Sequence, residues 1–348
     1  MKKLISLATF VLIGGISCAA FNAVSAFDMS SHYKNKRMTI LIPYGPGGTY
    51  DKYGSTFARH LGGKIPGNPT VIVQHMPGAG GAKAMNFAFN VMQKRGYNAI
   101  VPLDNSVVNQ LLRPKKMRWK TDKFNWIGSS NQTNVIMAIR TDTGVKTLMD
   151  MKRIPIIGST SGVSSSGYLS PMLMAGLFGL KIKMITGYKG SSRSILAMEQ
   201  GESQMAAFNW LAWDSKVPHW FAGKKPFARV IMQTGVFEDP DLPGVPMLGN
   251  LVKTPEHKAV VAFLASAGPI GRGLTLPPGT PKGVIAGLQK AYDKMNADPK
   301  FAKELKKRRL RLMASSGKTI QEVVDKVLRE TSPAVIKLAR KIIGLKTL

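Results

Sequence analysis

The sequence is poor in four things, and each shortage excludes something. There is one cysteine, Cys18, in 348 residues. A single thiol excludes an intramolecular disulfide and any cysteine-based zinc site. Acidic residues are scarce: 19 Asp+Glu stand against 49 Lys+Arg, for a net charge of +30. The five histidines lie at 32, 60, 75, 219 and 257, and no pair has the i, i+4 spacing of a helical metal site. Beyond the N-terminus, no apolar run approaches the ~20 residues of a membrane helix. Fixed-period repeats and low-complexity tracts are absent, and neither the dinucleotide fingerprint nor the phosphate-loop spacing occurs. What remains is 44% hydrophobic and 20% charged, the composition of a globular chain.

The N-terminus has the form of an export signal. Lys2 and Lys3 precede an apolar run at 4–16, and Val24, Ser25 and Ala26 form a small-residue cleavage site. Cleavage after Ala26 leaves 348 − 26 = 322 residues with a charge of 30 − 2 = +28. Cys18 leaves with the signal, so the mature chain is expected without a thiol, in keeping with a periplasmic, oxidising location. A lipid anchor on Cys18 would want a large aliphatic residue three positions earlier, where Gly15 stands.

The mature chain alternates short β-type runs with amphipathic helical patterns. Strands are expected at 38–42, 70–74, 98–103, 125–128, 135–140, 154–157, 181–185, 204–208 and 228–233. Helices are expected at 51–61, at 82–94 and between most later strands, with a long one at 318–343 ending a helical C-terminal region. Such alternation argues for βαβ units and mainly parallel sheets. Crossings between domains are expected near 123–130 and near 234–246, where Pro240, Pro243 and Pro246 punctuate the chain. The first lobe is then 27–125 with 238–348, the second 126–237, and a cleft between two α/β lobes is a usual place for a small-molecule site.

Several loops carry candidate binding groups. Tyr44, Gly47, Gly48, Thr49, Tyr50 and Asp51 join the first strand to the first helix. Glycines let backbone approach a ligand, and a helix N-terminus offers free N–H groups to a carboxylate. Asp51 would compete with an anion, so it is expected to cap its own helix and leave the Gly47–Tyr50 amides free. Gly78 and Gly80 repeat this logic after the second strand. Thr160, Ser161, Ser164, Ser165 and Ser166 offer hydroxyls and amides without a counter-charge. A serine hydrolase is the rival reading of that loop, and it is not the expected one because Thr160 occupies the centre of the would-be G-x-S-x-G elbow and no histidine is near in sequence. Tyr188 and Arg193 precede a further helix, Arg193 as a bidentate partner for a second carboxylate. Asn105 and Asn209 end strands as polar contacts. Tight βα turns, N-cap serines and solvated surface charges account for the same patterns without a ligand.

Taken in order, these pieces resemble the extracytoplasmic solute receptors of tripartite tricarboxylate transporters, the TctC or Bug family. The resemblance rests on Ile-Pro-Tyr-Gly-Pro-Gly-Gly-Thr-Tyr-Asp at 42–51, Pro-Gly-Asn-Pro at 66–69 leading into Met-Pro-Gly-Ala-Gly-Gly at 76–81, and Thr-Gly-Tyr-Lys-Gly at 186–190. Ala-Met-Glu-Gln-Gly-Glu at 197–202, Pro-Asp-Leu-Pro-Gly-Val-Pro at 240–246 and Pro-Pro-Gly-Thr-Pro at 277–281 continue it. It implies a two-lobed periplasmic binding fold of the type II kind that closes on its ligand, with no enzymatic activity and no cofactor. It implies that the 44–51 loop holds a carboxylate by main-chain N–H groups and waters, and that the 160–166 loop completes the grip. It also implies delivery to a large and a small membrane subunit driven by an ion gradient, the receptor itself being a monomer. Three features depart from the family pattern: Arg95-Gly96-Tyr97 in place of Asp-Gly-Tyr, a longer serine loop without the usual histidine, and the charge of +28.

The charge suits capture of anionic solutes and attraction to anionic surfaces. Residues 300–348 hold 14 basic and 4 acidic side chains. Nucleic acid is not the expected partner, because the basic residues spread along the chain and no binding motif accompanies them. Two other readings share these features: a ligand-binding input to a sensory system, and an exported polyanion-binding protein.

Overall fold

The computed structural model describes residues 27–345; Cys18, the export signal and its cleavage after Ala26 lie outside the described residues. Two sheets organise the chain. The first contains β1 (Arg37–Ile42), β2 (Thr70–His75), β3 (Asn98–Ile100), β4 (Asn125–Ser129), β10 (Gly273–Leu276) and β11 (Ser315–Ser316), in the order β11-β4-β10-β3-β1-β2. The second contains β5 (Val135–Arg140), β6 (Ile156–Ser159), β7 (Ile182–Ile185), β8 (Met205–Phe208) and β9 (Ala228–Thr234), in the order β7-β6-β8-β5-β9.

Helices flank both sheets. Along the chain they are α1 (Met29–Tyr33), α2 (Thr49–Leu61), α3 (Ala82–Asn90), α4 (Ser106–Leu112), α5 (Ser166–Phe178), α6 (Ser191–Glu199) and α7 (Trp210–Asp214). Then come α8 (Leu248–Leu251), α9 (Pro255–Ala265), α10 (Lys282–Asn296), α11 (Pro299–Lys307), α12 (Gly317–Glu330) and α13 (Pro333–Ile343). The α2 helix shows the local logic. Tyr53, Phe57 and Leu61 recur at i, i+4, i+8 and are buried, so one stripe of the helix meets the sheet.

The sheets are mixed rather than mainly parallel. β1 runs parallel to β2 and β3, and β6 parallel to β7 and β8, where helices make right-handed crossovers possible. The strands that carry the chain between lobes, β4, β5, β9 and β10, pair antiparallel instead. The chain passes from β4 to β5 through 130–134, and leaves β9 on its way back to β10.

Packing does not follow the expected lobe boundaries throughout. Val260 and Leu264 of α9 and Ala339 and Ile343 of α13 lie in the core of the second sheet, with Leu169 and Leu173 of α5. The sequence boundaries assign both helices to the first lobe. The long helix expected at 318–343 is two helices, because Pro333 has no N–H to continue the ladder and starts α13 behind the N-cap Ser332. The β10 strand, absent from the sequence expectation, fills the centre of the first sheet.

Candidate functional site

A cleft lies between the sheets, lined from both sides by the ends of strands and the starts of helices. Three helix N-termini open onto it. Gly48 precedes α2, Ser165 precedes α5 and Gly190 precedes α6, and at none of the three does a side chain cap the first turn. The Ser165 hydroxyl is turned aside, bonded to Thr160 Oγ1 at 2.7 Å and to the Gly162 carbonyl at 3.0 Å. Uncapped first-turn amides carry partial positive charge and seek an anion. Tyr44, Tyr50, Val135, Ala207, Phe208 and Ala212 make much of the remaining wall apolar.

One charged pair sits in the lining. Arg272, 4% exposed on β10's leading edge, donates from Nη1 to Asp104 Oδ2 at 2.9 Å and to the Gly271 carbonyl at 3.0 Å. Its guanidinium carbon lies 3.8 Å from the Tyr50 ring centre, and its Nε has no partner. Burial works against the arginine's charge, but Tyr50 and Asp104 outweigh it and hold its pKa above the ordinary value. Asp104 is well held: Oδ1 accepts from Asn105 N at 2.8 Å and from Ser166 Oγ at 2.9 Å. Burial pushes the hydroxyls of Tyr44 and Tyr50 well up, so both stay protonated. Tyr50 Oη accepts from Asp104 N at 3.1 Å and Tyr44 Oη donates to the Gly80 carbonyl at 2.9 Å.

Of the residues expected from sequence, the cleft brings together Tyr44, Gly48, Thr49, Tyr50, Ser161, Ser165, Ser166 and Asn209. Asn209 is oriented unambiguously. Its Oδ1 accepts from Ala212 N at 3.0 Å, so Nδ2 faces away from that bond, buried and without a partner.

The other nine stand elsewhere, for identifiable reasons. Asp51 takes the Gly47 amide at 2.8 Å on Oδ2 and pairs with His75 at 2.8 Å on Oδ1, so Gly47 N is not free for a ligand. Gly78 turns the chain at φ 144° against the Lys83 side chain. Gly80 abuts the serine loop, where a Cβ would stand 2.7 Å from Ser165 N. Asn105 Nδ2 donates to the Ser164 carbonyl at 2.7 Å, as does Asn109, and Arg113 donates to Ser164 Oγ at 3.0 Å. These groups fasten one lobe to the other instead of lining the space. Thr160 is spent on Ser165, Tyr188 donates to Glu202 at 2.9 Å, and Arg193 is exposed outside the lining. Gly45 N to the Lys189 carbonyl, at 2.7 Å, adds a further bridge between the lobes.

Sequence reasoning missed Arg272, Asp104, Asn134 and Ser191 as lining residues. Arg272 had a signal: it is the lone charge in the stretch 259–276. Among the described residues, no group of three or more His, Cys, Asp or Glu could hold a metal ion, and no helix is long and apolar enough to cross a membrane.

Two mixed α/β lobes with a cleft between them, fed by helix N-termini, are the architecture of the periplasmic-binding-protein fold, and solved structures share it. The chain superposes on the periplasmic binding protein BugD with a TM-score of 0.71, at 18% identity, covering 91% of this chain and 100% of that one. It superposes on MatC from Rhodopseudomonas palustris with bound malate with a TM-score of 0.67, at 17% identity, covering 88% and 99%. In sequence it is similar to a UPF0065 protein of Bordetella pertussis, 21% identical over 332 residues, 94% of this chain and 97% of that protein. The model of the tripartite tricarboxylate transporter family receptor, TctC, matches residues 62–339. The chain belongs to that family, whose members are solute-binding receptors and not enzymes.

Proposed function

We propose that this receptor captures a small organic carboxylate in the interlobe cleft and delivers it to the large and small membrane subunits of an ion-gradient-driven transporter. It works as an exported, periplasmic monomer, its signal removed after Ala26. The carboxylate is held by the first-turn amides of α2, α5 and α6, with Tyr44, Gly48, Thr49, Tyr50, Ser161, Ser165, Ser166 and Asn209 around it. The observation that carries this reading is the convergence of three uncapped helix N-termini on one cleft. Main-chain dipoles bind an anion without a buried counter-charge to desolvate, and they do so reversibly, as a receptor must. Malate bound to a protein of the same fold supports the ligand chemistry.

Thermal unfolding with a panel of carboxylates tests it. A ligand at a hundred times its Kd should stabilise the protein by ~2.7 kcal/mol. Stabilisation by heparin, with none by any carboxylate, would instead make it a polyanion-binding protein.

A further inference from the structure

We infer that the cleft selects monocarboxylates with an apolar body over di- and tricarboxylates, a deepening that rests on the carboxylate reading above. The argument is a count of charge. A chain with 49 basic residues places a single one, Arg272, in the lining, and Asp104 already neutralises it at 2.9 Å. The formal charge of the cleft is therefore zero. What remains for an anion is the dipole of three helix starts, each worth about half a charge and fading within the first turn. That is enough for one carboxylate. A second carboxylate would have no cation left to pair with, beside the apolar part of the wall formed by Tyr44, Tyr50, Val135, Ala207, Phe208 and Ala212, where an unpaired charge is disfavoured.

The unused polar groups agree with this. Two buried donors in the lining lack partners, Arg272 Nε and Asn209 Nδ2, the latter fixed as a donor by its own Oδ1 bond. Two such side-chain donors match the two oxygens of one carboxylate. Asp104 is engaged by Asn105, Ser166 and Arg272. It acts as a fixed internal anion, occupying the position in the charge balance that a ligand's second carboxylate would need.

Hexanoate and adipate share six carbons and differ by one carboxylate, so they isolate the charge. Titration calorimetry on the purified protein at about 150 mM salt, where the surface field is screened beyond about 8 Å, compares them with benzoate and citrate. The expected result is hexanoate or benzoate bound at least tenfold tighter than adipate and citrate. Adipate or citrate binding as tightly as hexanoate would overturn this selectivity and leave the carboxylate reading standing; no binding of any of the four would sink both. Asp104→Asn gives the cleft a net positive charge and should shift the hexanoate-to-adipate ratio at least tenfold toward adipate. An unchanged ratio in a folded variant would also overturn the inference. If that variant does not fold, the wild-type ratio decides.

Discussion

Gly80 and Gly162 meet where the two lobes touch, and neither tolerates a side chain there. Gly80 has φ +66°, and a Cβ on it would stand 2.7 Å from Ser165 N and 3.1 Å from the Gly162 carbonyl. Gly162 has φ +155°, with its own Cβ direction 2.5 Å from Gly80 N. Backbone packs on backbone, so no flexible side chain can yield. Gly80→Ala should therefore lower ligand affinity about tenfold or more by holding the lobes apart, while left-handed strain lowers stability by only ~1–2 kcal/mol. Calorimetric titration beside a melting curve checks this. Full affinity in the variant would show that the contact plays no part in binding. Glycines of this kind are legible in the sequence because the motif itself names them; their role is not, since a loop that contacts a ligand and a loop that contacts another loop read alike. Arg272 is marked in the sequence as a lone charge, but its role is hidden for a different reason. Its meaning depends on Asp104 and Tyr50, brought to it only by the fold, through β10's place between β3 and β4.

Elements read best where periodicity is local. The pattern at 135–140 predicts β5 and the strand stands there, and the α2 pattern at 51–61 needs only one half-turn added at its start. The antiparallel pairs escape, because pairing direction is set by long-range topology that a strand's own residues do not encode. α13 shows the same limit: its buried stripe is visible, but not that it packs on α5. One contact between elements carries a measurable consequence. Lys52 of α2 donates to the Ser215 carbonyl and to Ser215 Oγ, each at 2.8 Å, at the C-terminal end of α7 in the other lobe. Burial first, then Arg308 and Lys216, lower its pKa from 10.5 to about 8, with Asp214 and Asp51 opposing. The unfolded chain holds that proton up to about 10.5 and the folded chain only to about 8. Between those values unfolding takes up a proton, so this group makes stability rise with pH across the window and penalises the fold below it. Lys52→Met should flatten the rise between pH 8 and 10 by ~1 kcal/mol, a figure already reduced for solvent screening. Denaturant titrations of both proteins at pH 7, 9 and 10 would show it; parallel curves would mean that Lys52 keeps an ordinary proton affinity.

At the scale of the whole molecule, attraction and grip are separate. The chain carries +30 overall, yet its cleft lining has one acid against one base. The surface field acts at a distance and is screened by salt, whereas the first-turn amides of α2, α5 and α6 act at contact within the cleft, at distances far below the screening length. Salt should thus change how often an anion arrives and leave how long it stays nearly untouched. Between about 10 and 300 mM salt the association rate of a bound carboxylate should fall roughly tenfold or more, within the range that steering commands. The dissociation rate should hold within about twofold. Stopped-flow measurement of both rates separates the two contributions. If dissociation carried the salt dependence, the ligand would be gripped by exposed cations at the rim, and the buried main-chain dipoles would lose their part in holding it.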